Sequence, residues 1–146
     1  MPSAPVEGCG FCDLEAFRRS ELCIENDHGL YASNGFVSRQ DVLPGSGIIV
    51  PLAHRVSPFE LRREEWDAMH DLLLAAKAAI DERWHPDGYT IGWNVGAAAG
   101  QEVAHAHLHV IPRFADEPYG GRGIRWAIKK SANARPDPDA PGRGLA

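Results

Sequence analysis

The chain has 146 residues, 44% hydrophobic and 24% charged, with a formal net charge of −5. Such a length suits one domain with its own core, and the composition is that of an ordinary soluble globule. The acidic balance argues against a nucleic-acid partner held by bulk positive charge, although the Arg and Lys gathered after Arg113 leave room for a local anion site.

Residues 1–8 read as a leader without the basic and apolar regions of a signal peptide. Cys9-Gly10-Phe11-Cys12 offers two thiols at the spacing of half a tetrahedral zinc site; a redox pair and an incidental pair stay open at this point. Cys23, between Leu22 and Ile24, reads as a small buried hydrophobe. The cysteine usage fits a reducing, cytoplasmic setting. Asp13 to Leu22 is expected to be a short helix, followed by strands at Leu22–Glu25 and Leu30–Ser33 around the turn-forming Asn26-Asp27-His28-Gly29. Gly47–Pro51 is a short apolar run suited to a buried strand. Ser57-Pro58-Phe59-Glu60 has capping-box spacing with proline at the first helical position. From Arg63 to Trp84, the residues Trp66, Met69, Leu73, Ala76, Ile80 and Trp84 form one helical apolar stripe, with His70 beside it as a packed or surface residue. Its most apolar part, Leu72 to Ala76, stops at Lys77 and is too short for a bilayer, so no membrane partner is expected. His85 to Gly88 ends the helix; Tyr89–Val95 and Val103–Ile111 read as antiparallel strands joined by the Gly96–Gly100 loop. The expected fold is α+β: an antiparallel sheet of about five strands with one long and one short helix. Residues 9–133 form the domain and 134–146 a disordered tail.

The richest feature is His105-Ala106-His107-Leu108-His109. In an extended strand alternate side chains leave one face, so three imidazoles would line one surface while Ala106, Leu108 and Val110 pack behind. At roughly 3.3 Å per residue the outer two start about 13 Å apart, too far to share one ion. Three readings stay open on the residues alone: chance alternation with a solvated face, a metal held by a neighbouring pair, or one ring as a substrate-facing nucleophile with two supporting imidazoles.

Gly92-Trp93-Asn94-Val95-Gly96, Gly100 to Ala104 and the row from His105 to Arg113 closely resemble the histidine triad (HIT) superfamily of nucleotide hydrolases and transferases. Pro44-Gly45, Ile48 to His54, Phe59-Glu60-Leu61 and Glu64-Glu65-Trp66 resemble its central strand, basic turn and helix start. Gly120-Gly121 and Ile124-Arg125-Trp126 resemble a bacterial branch related to diadenosine polyphosphate hydrolases. The resemblance implies that His107 attacks the α-phosphorus and water cleaves the nucleotidyl-histidine. It implies supporting or phosphate-binding roles for His105, His109, Asn94, Gln101 and the Val103 N–H, and leaving-group contacts for Arg122, Arg125 and Trp126. It further implies a structural zinc on Cys9, Cys12, His54 and His105, no cofactor for catalysis, purine substrates (conjugates of AMP or GMP) and a homodimer that extends the sheet. Two positions depart from the pattern. Ser46 stands where the family often has a histidine, so its hydroxyl or a water must substitute or the network is shorter. Glu102 stands where many members carry Ser or Thr. The expected function is a nucleotide hydrolase or nucleotidyltransferase; a nucleotide-binding sensor without turnover and a metal-handling protein are the alternatives.

Overall fold

Strict alternation along short strands divides this molecule into two unequal apolar layers. The computed structural model describes residues 4–33 and 42–145. Strands β1 (Cys23–Glu25), β2 (Gly29–Ser33), β3 (Gly47–Pro51), β4 (Gly88–Trp93) and β5 (Leu108–Arg113) form one antiparallel sheet in the order β1-β2-β3-β5-β4. The α+β architecture expected from the sequence is therefore the one observed. Tyr31, Ile49, Leu108 and Val110 leave one face and pack on Met69, Leu72, Ala76 and Ile80 of the long helix α2 (Arg63–Trp84). Leu30, Ala32, Ile48 and Val50 leave the other face and meet Phe11 and Phe17 from the N-terminal segment, which contains the single-turn helix α1 (Glu15–Arg18). Each layer removes large aliphatic side chains from water at about 25 cal/mol per Å².

The long helix has the expected bounds, but its buried stripe is rotated. Glu65, Ala68, Met69, Leu72, Ala76 and Ile80 are buried, whereas Trp66 is exposed and Leu73 and Trp84 only partly covered. Trp66 instead meets Trp93 edge-on at 5.8 Å. His70 lies on the surface. Ser57–Glu60 caps a separate 3₁₀ turn, Pro58–Glu60: the Ser57 hydroxyl accepts the Phe59 N–H at 3.1 Å, and Glu60 accepts the Val56 N–H at 2.9 Å. Helix α2 starts anew, with Glu65 accepting the Arg62 N–H at 3.2 Å, and stops at His85 in the left-handed region.

The first helix is shorter than expected because the sheet claims Leu22, whose N–H donates to the Ser33 hydroxyl and whose carbonyl accepts the Ser33 N–H. A short helix, α3 (Arg125–Ile128), follows the sheet. Among the described residues no helix is long and apolar enough to cross a membrane.

Candidate active site and metal centre

The histidine row does not lie wholly in a strand. Only His109 belongs to β5; His105 sits in a bend and His107 in the extended residues leading to Leu108. The β3–β5 ladder ends at Ile49 opposite Leu108. Farther along β3, Pro51 has no N–H to give, and the Ala106 N–H turns instead to the Arg55 carbonyl at 2.5 Å. Releasing the ladder there lets His105 point away from its neighbours.

His105 is fully buried, and its Nε2–H donates to the Pro51 carbonyl at 2.9 Å. A carbonyl only accepts, so the neutral ring carries its lone pair on Nδ1. That atom stands 3.5 Å from Cys9 Sγ and 3.6 Å from Cys12 Sγ, while His54 Nδ1 stands 3.3 Å from Cys12 Sγ. All four ligand atoms lie within 4.8 Å of one another. A tetrahedron with the usual zinc–sulfur and zinc–nitrogen lengths has mixed edges of roughly 3.5 Å, so the spacing fits that ion. The chemistry fits as well. Burial holds His105 below the ordinary imidazole range, keeping it in the neutral form a metal ligand needs. The Val6 N–H points at Cys12 Sγ from 3.5 Å, and the Pro51 carbonyl fixes the His105 tautomer. The four residues expected to act together are thus brought together and could hold a metal.

His107 is nearly buried, and its Nδ1–H donates to the His105 backbone carbonyl at 2.8 Å. By the same logic the lone pair of its neutral ring is on Nε2. Phe11 meets this ring edge-on at 5.0 Å from one side, and His109 meets it at 5.0 Å from the other. His109 is half-buried; burial and then the neighbouring His107 push its imidazole below the usual range. Both rings leave the face opposite α2, because Leu108 and Val110 point at the helix.

Asn94 follows β4, one residue past the Trp93–Leu108 pair, and that register continues to His107. The side chain is exposed and its Nδ2 lies beside Gly100, whose φ of +90° turns the loop. Gln101 has a different posture from a free phosphate donor. Its Nε2 donates to the carbonyls of Val56 at 2.7 Å and Val103 at 3.0 Å, and its Oε1 accepts the Gly96 N–H at 2.9 Å. Both amide hydrogens are engaged, so Gln101 shapes the loop. The Val103 side chain packs on the Phe11 layer. Glu102 is exposed. The Ser46 hydroxyl donates to the Leu43 carbonyl at 2.7 Å, which commits its proton away from the histidines and leaves the shorter network.

Arg122 stacks between Tyr119 (5.0 Å) and Trp126 (4.4 Å), and Lys130 covers Trp126 at 3.7 Å. Arg125 opens α3 on the surface. The segment reaches the histidine face through Ile124, which lies over Gly92, the partner of His109. Two contributors escaped sequence reasoning. Phe11 touches His105 and His107, and its place between the cysteines was the available signal. Arg55, beside His54 of the cluster, offered no pattern of its own.

A β-sheet that delivers one imidazole to a cysteine pair and two more to an open face defines a histidine triad site. The model described as HIT domain matches residues 26–116, and the chain belongs to that family. An uncharacterized 16.1 kDa HIT-like protein of Mycoplasma pneumoniae is 29% identical over 126 residues, 86% of this chain and 82% of its own. The bis(5'-adenosyl)-triphosphatase of Dictyostelium discoideum is 36% identical over 101 residues, 66% of this chain and 62% of its own. A zinc-bound histidine triad family protein from Mycobacterium smegmatis superposes with a TM-score of 0.61 at 27% identity, covering 80% of this chain and 82% of that one.

Proposed function

We propose that the protein hydrolyses a purine nucleotide conjugate at its α-phosphorus through a covalent nucleotidyl-histidine. The observation that carries this reading is the His107 Nδ1–H donation to the His105 carbonyl, which directs the lone pair to Nε2. That nitrogen attacks phosphorus; the N–P bond forms as the bond to the leaving group breaks, and the leaving group departs with the electron pair and takes up a proton from solvent. Water then attacks phosphorus and gives up a proton to solvent, the N–P pair returns to Nε2, and the nucleoside monophosphate leaves. His109, neutral and adjacent, donates to a phosphate oxygen or to the leaving group. The Val103 N–H and Asn94 contact the phosphate or ribose, and Gln101 keeps the loop in shape for it. Arg122, Arg125 and Trp126 meet the leaving group.

The fit of the cysteine–histidine cluster supports a resident zinc held by Cys9, Cys12, His54 and His105. When bound, this ion supplies structural crosslinking; four protein ligands leave no position for water or substrate. The edge position of β4 supports a homodimer in which two copies continue the sheet.

The test is a panel of adenosine and guanosine phosphoramidates, acyl-adenylates and dinucleoside polyphosphates, assayed for monophosphate release. His107→Asn is expected to lower kcat on the order of 10⁴-fold or more while AMP binding survives. Equal turnover by both proteins refutes the nucleophile. The sensor reading draws on the Ser46 hydroxyl turned to Leu43, and it gains if the wild type binds AMP yet releases none from any conjugate.

A further inference from the structure

We infer that the partly buried ion pair Arg55–Glu65 is the positioning device that sets the metal cluster and the nucleophile relative to each other; the kinetic part of this inference rests on the function proposed above. Three consecutive residues after β3 each hold a different part of the site. His54 presents Nδ1 to the cysteines. The Arg55 carbonyl takes the Ala106 N–H, between His105 and His107. The Val56 carbonyl takes Gln101 Nε2 and so holds the β4–β5 loop. A segment with that many obligations must itself be fixed, and its side-chain anchor is Arg55.

The Arg55 guanidinium grips Glu65 with Nε at 3.2 and 3.3 Å from the two carboxylate oxygens and Nη2 at 2.9 Å from Oε1. The Glu65 side chain is only 4% exposed and that of Arg55 23%. The fork geometry of a guanidinium on a carboxylate fixes direction as well as distance. Glu65 Oε1 also accepts the Arg62 N–H that opens α2, so the carboxylate is tied to the first turn of the 22-residue helix. Ordinary surface pairs contribute little. This one joins the helix terminus to a strip of backbone that touches the cluster, the triad and the loop. Neither residue faces substrate; both act through His54, Ala106 and Gln101.

The experiment compares zinc-loaded wild type with Arg55→Met, Arg55→Lys and Glu65→Gln. Glu65→Gln keeps an acceptor for the Arg62 N–H, so the helix start survives and only the charge pair is lost. Outer-shell partners of this kind change activity or metal affinity about 10- to 100-fold. Arg55→Met and Glu65→Gln should lower kcat by about tenfold or more with KM within about twofold, and weaken zinc in chelator competition by about tenfold. Arg55→Lys should recover part of both. Ring ¹⁵N spectra should show His105 and His107 losing their single tautomers in Arg55→Met and Glu65→Gln. Wild-type kcat, zinc affinity and ring spectra in all variants, with only a lower melting temperature, overturn the inference and leave a structural ion pair. If Arg55→Met does not fold, Glu65→Gln carries the same comparison. Should the wild type cleave no conjugate, the proposed function fails, while zinc competition and the ring spectra still decide the role of the pair.

Discussion

His107 and His109 are the same side chain in rings 5.0 Å apart, yet their surroundings give them different duties. A carbonyl fixes the proton of His107 on Nδ1, whereas burial and its neighbour hold His109 below the ordinary value of 6.5. The consequence for stability has a definite sign. The unfolded state binds more protons at His109 than the folded state does wherever pH lies between the depressed folded value and 6.5. The stabilisation this ring contributes is therefore complete above 6.5 and is lost as pH falls through the folded value. Unfolding free energies measured from pH 7.5 down to 5 should fall more steeply for wild type than for His109→Asn; parallel curves would show that this ring is not held neutral. The order of the three imidazoles was legible in the sequence, and so was the gathering of the first with Cys9, Cys12 and His54. The tautomers were not legible, because they depend on which carbonyls, Pro51 and His105, end up beside the rings.

At the scale of elements, legibility followed how local the determining forces are. β3 and α2 came out with their expected bounds because an apolar run between turn residues and a long amphipathic stripe are decided by their own sequence. The start of β5 did not, because it is set by Pro51 and Arg55, some fifty residues earlier in the chain. The Ser57–Glu60 cap was legible as a cap but belongs to a 3₁₀ turn, since Glu65 had its own claim on the helix start. The β4–β5 loop illustrates the same point: the bracing of Gly96, Val56 and Val103 by Gln101 depends on Val56, a residue of a distant segment, and has no local signature. Gln101→Ala removes three hydrogen bonds at about 1 kcal/mol each, so a loss of roughly 2–3 kcal/mol is expected in denaturant titration. Hydrolysis, as proposed, should drop about tenfold, because the β4–β5 loop beside the triad slackens. Unchanged loop amide exchange in that variant would contradict the brace. The strand pair beneath is less forgiving still. A Cβ at Gly47 would lie 2.5 Å from the Ala32 carbonyl and 2.7 Å from the Tyr31 ring. Gly47→Ala is expected to cost about 1–3 kcal/mol through displacement of β2 from β3, and equal stability would show that the sheet can open there.

For the molecule as a whole, the cluster of Cys9, Cys12, His54 and His105 gathers segments far apart in sequence, with 96 positions separating Cys9 from His105 and 42 separating Cys12 from His54. The N-terminal turn brings Phe11 over His107, the segment after β3 brings His54, and the bend before β5 brings His105. An ion bound at this point, as proposed, would crosslink the three much as a covalent bridge closing a loop of that length does, at about 3–5 kcal/mol. For a chain of this size that corresponds to a melting temperature lowered by roughly 10 °C or more on metal removal. The chemistry should respond differently. His107 takes its orientation from the His105 backbone carbonyl and its lone pair from the resulting tautomer, neither of which needs the ion to touch substrate. Exhaustive chelation, or the double substitution Cys9→Ser with Cys12→Ser, should therefore lower the melting temperature by that amount. At temperatures well below the new transition, it should leave kcat within a few-fold of the loaded protein. Loss of kcat in strict proportion to bound metal, with circular dichroism and melting temperature unchanged, would mean instead that the ion acts on the reacting phosphate.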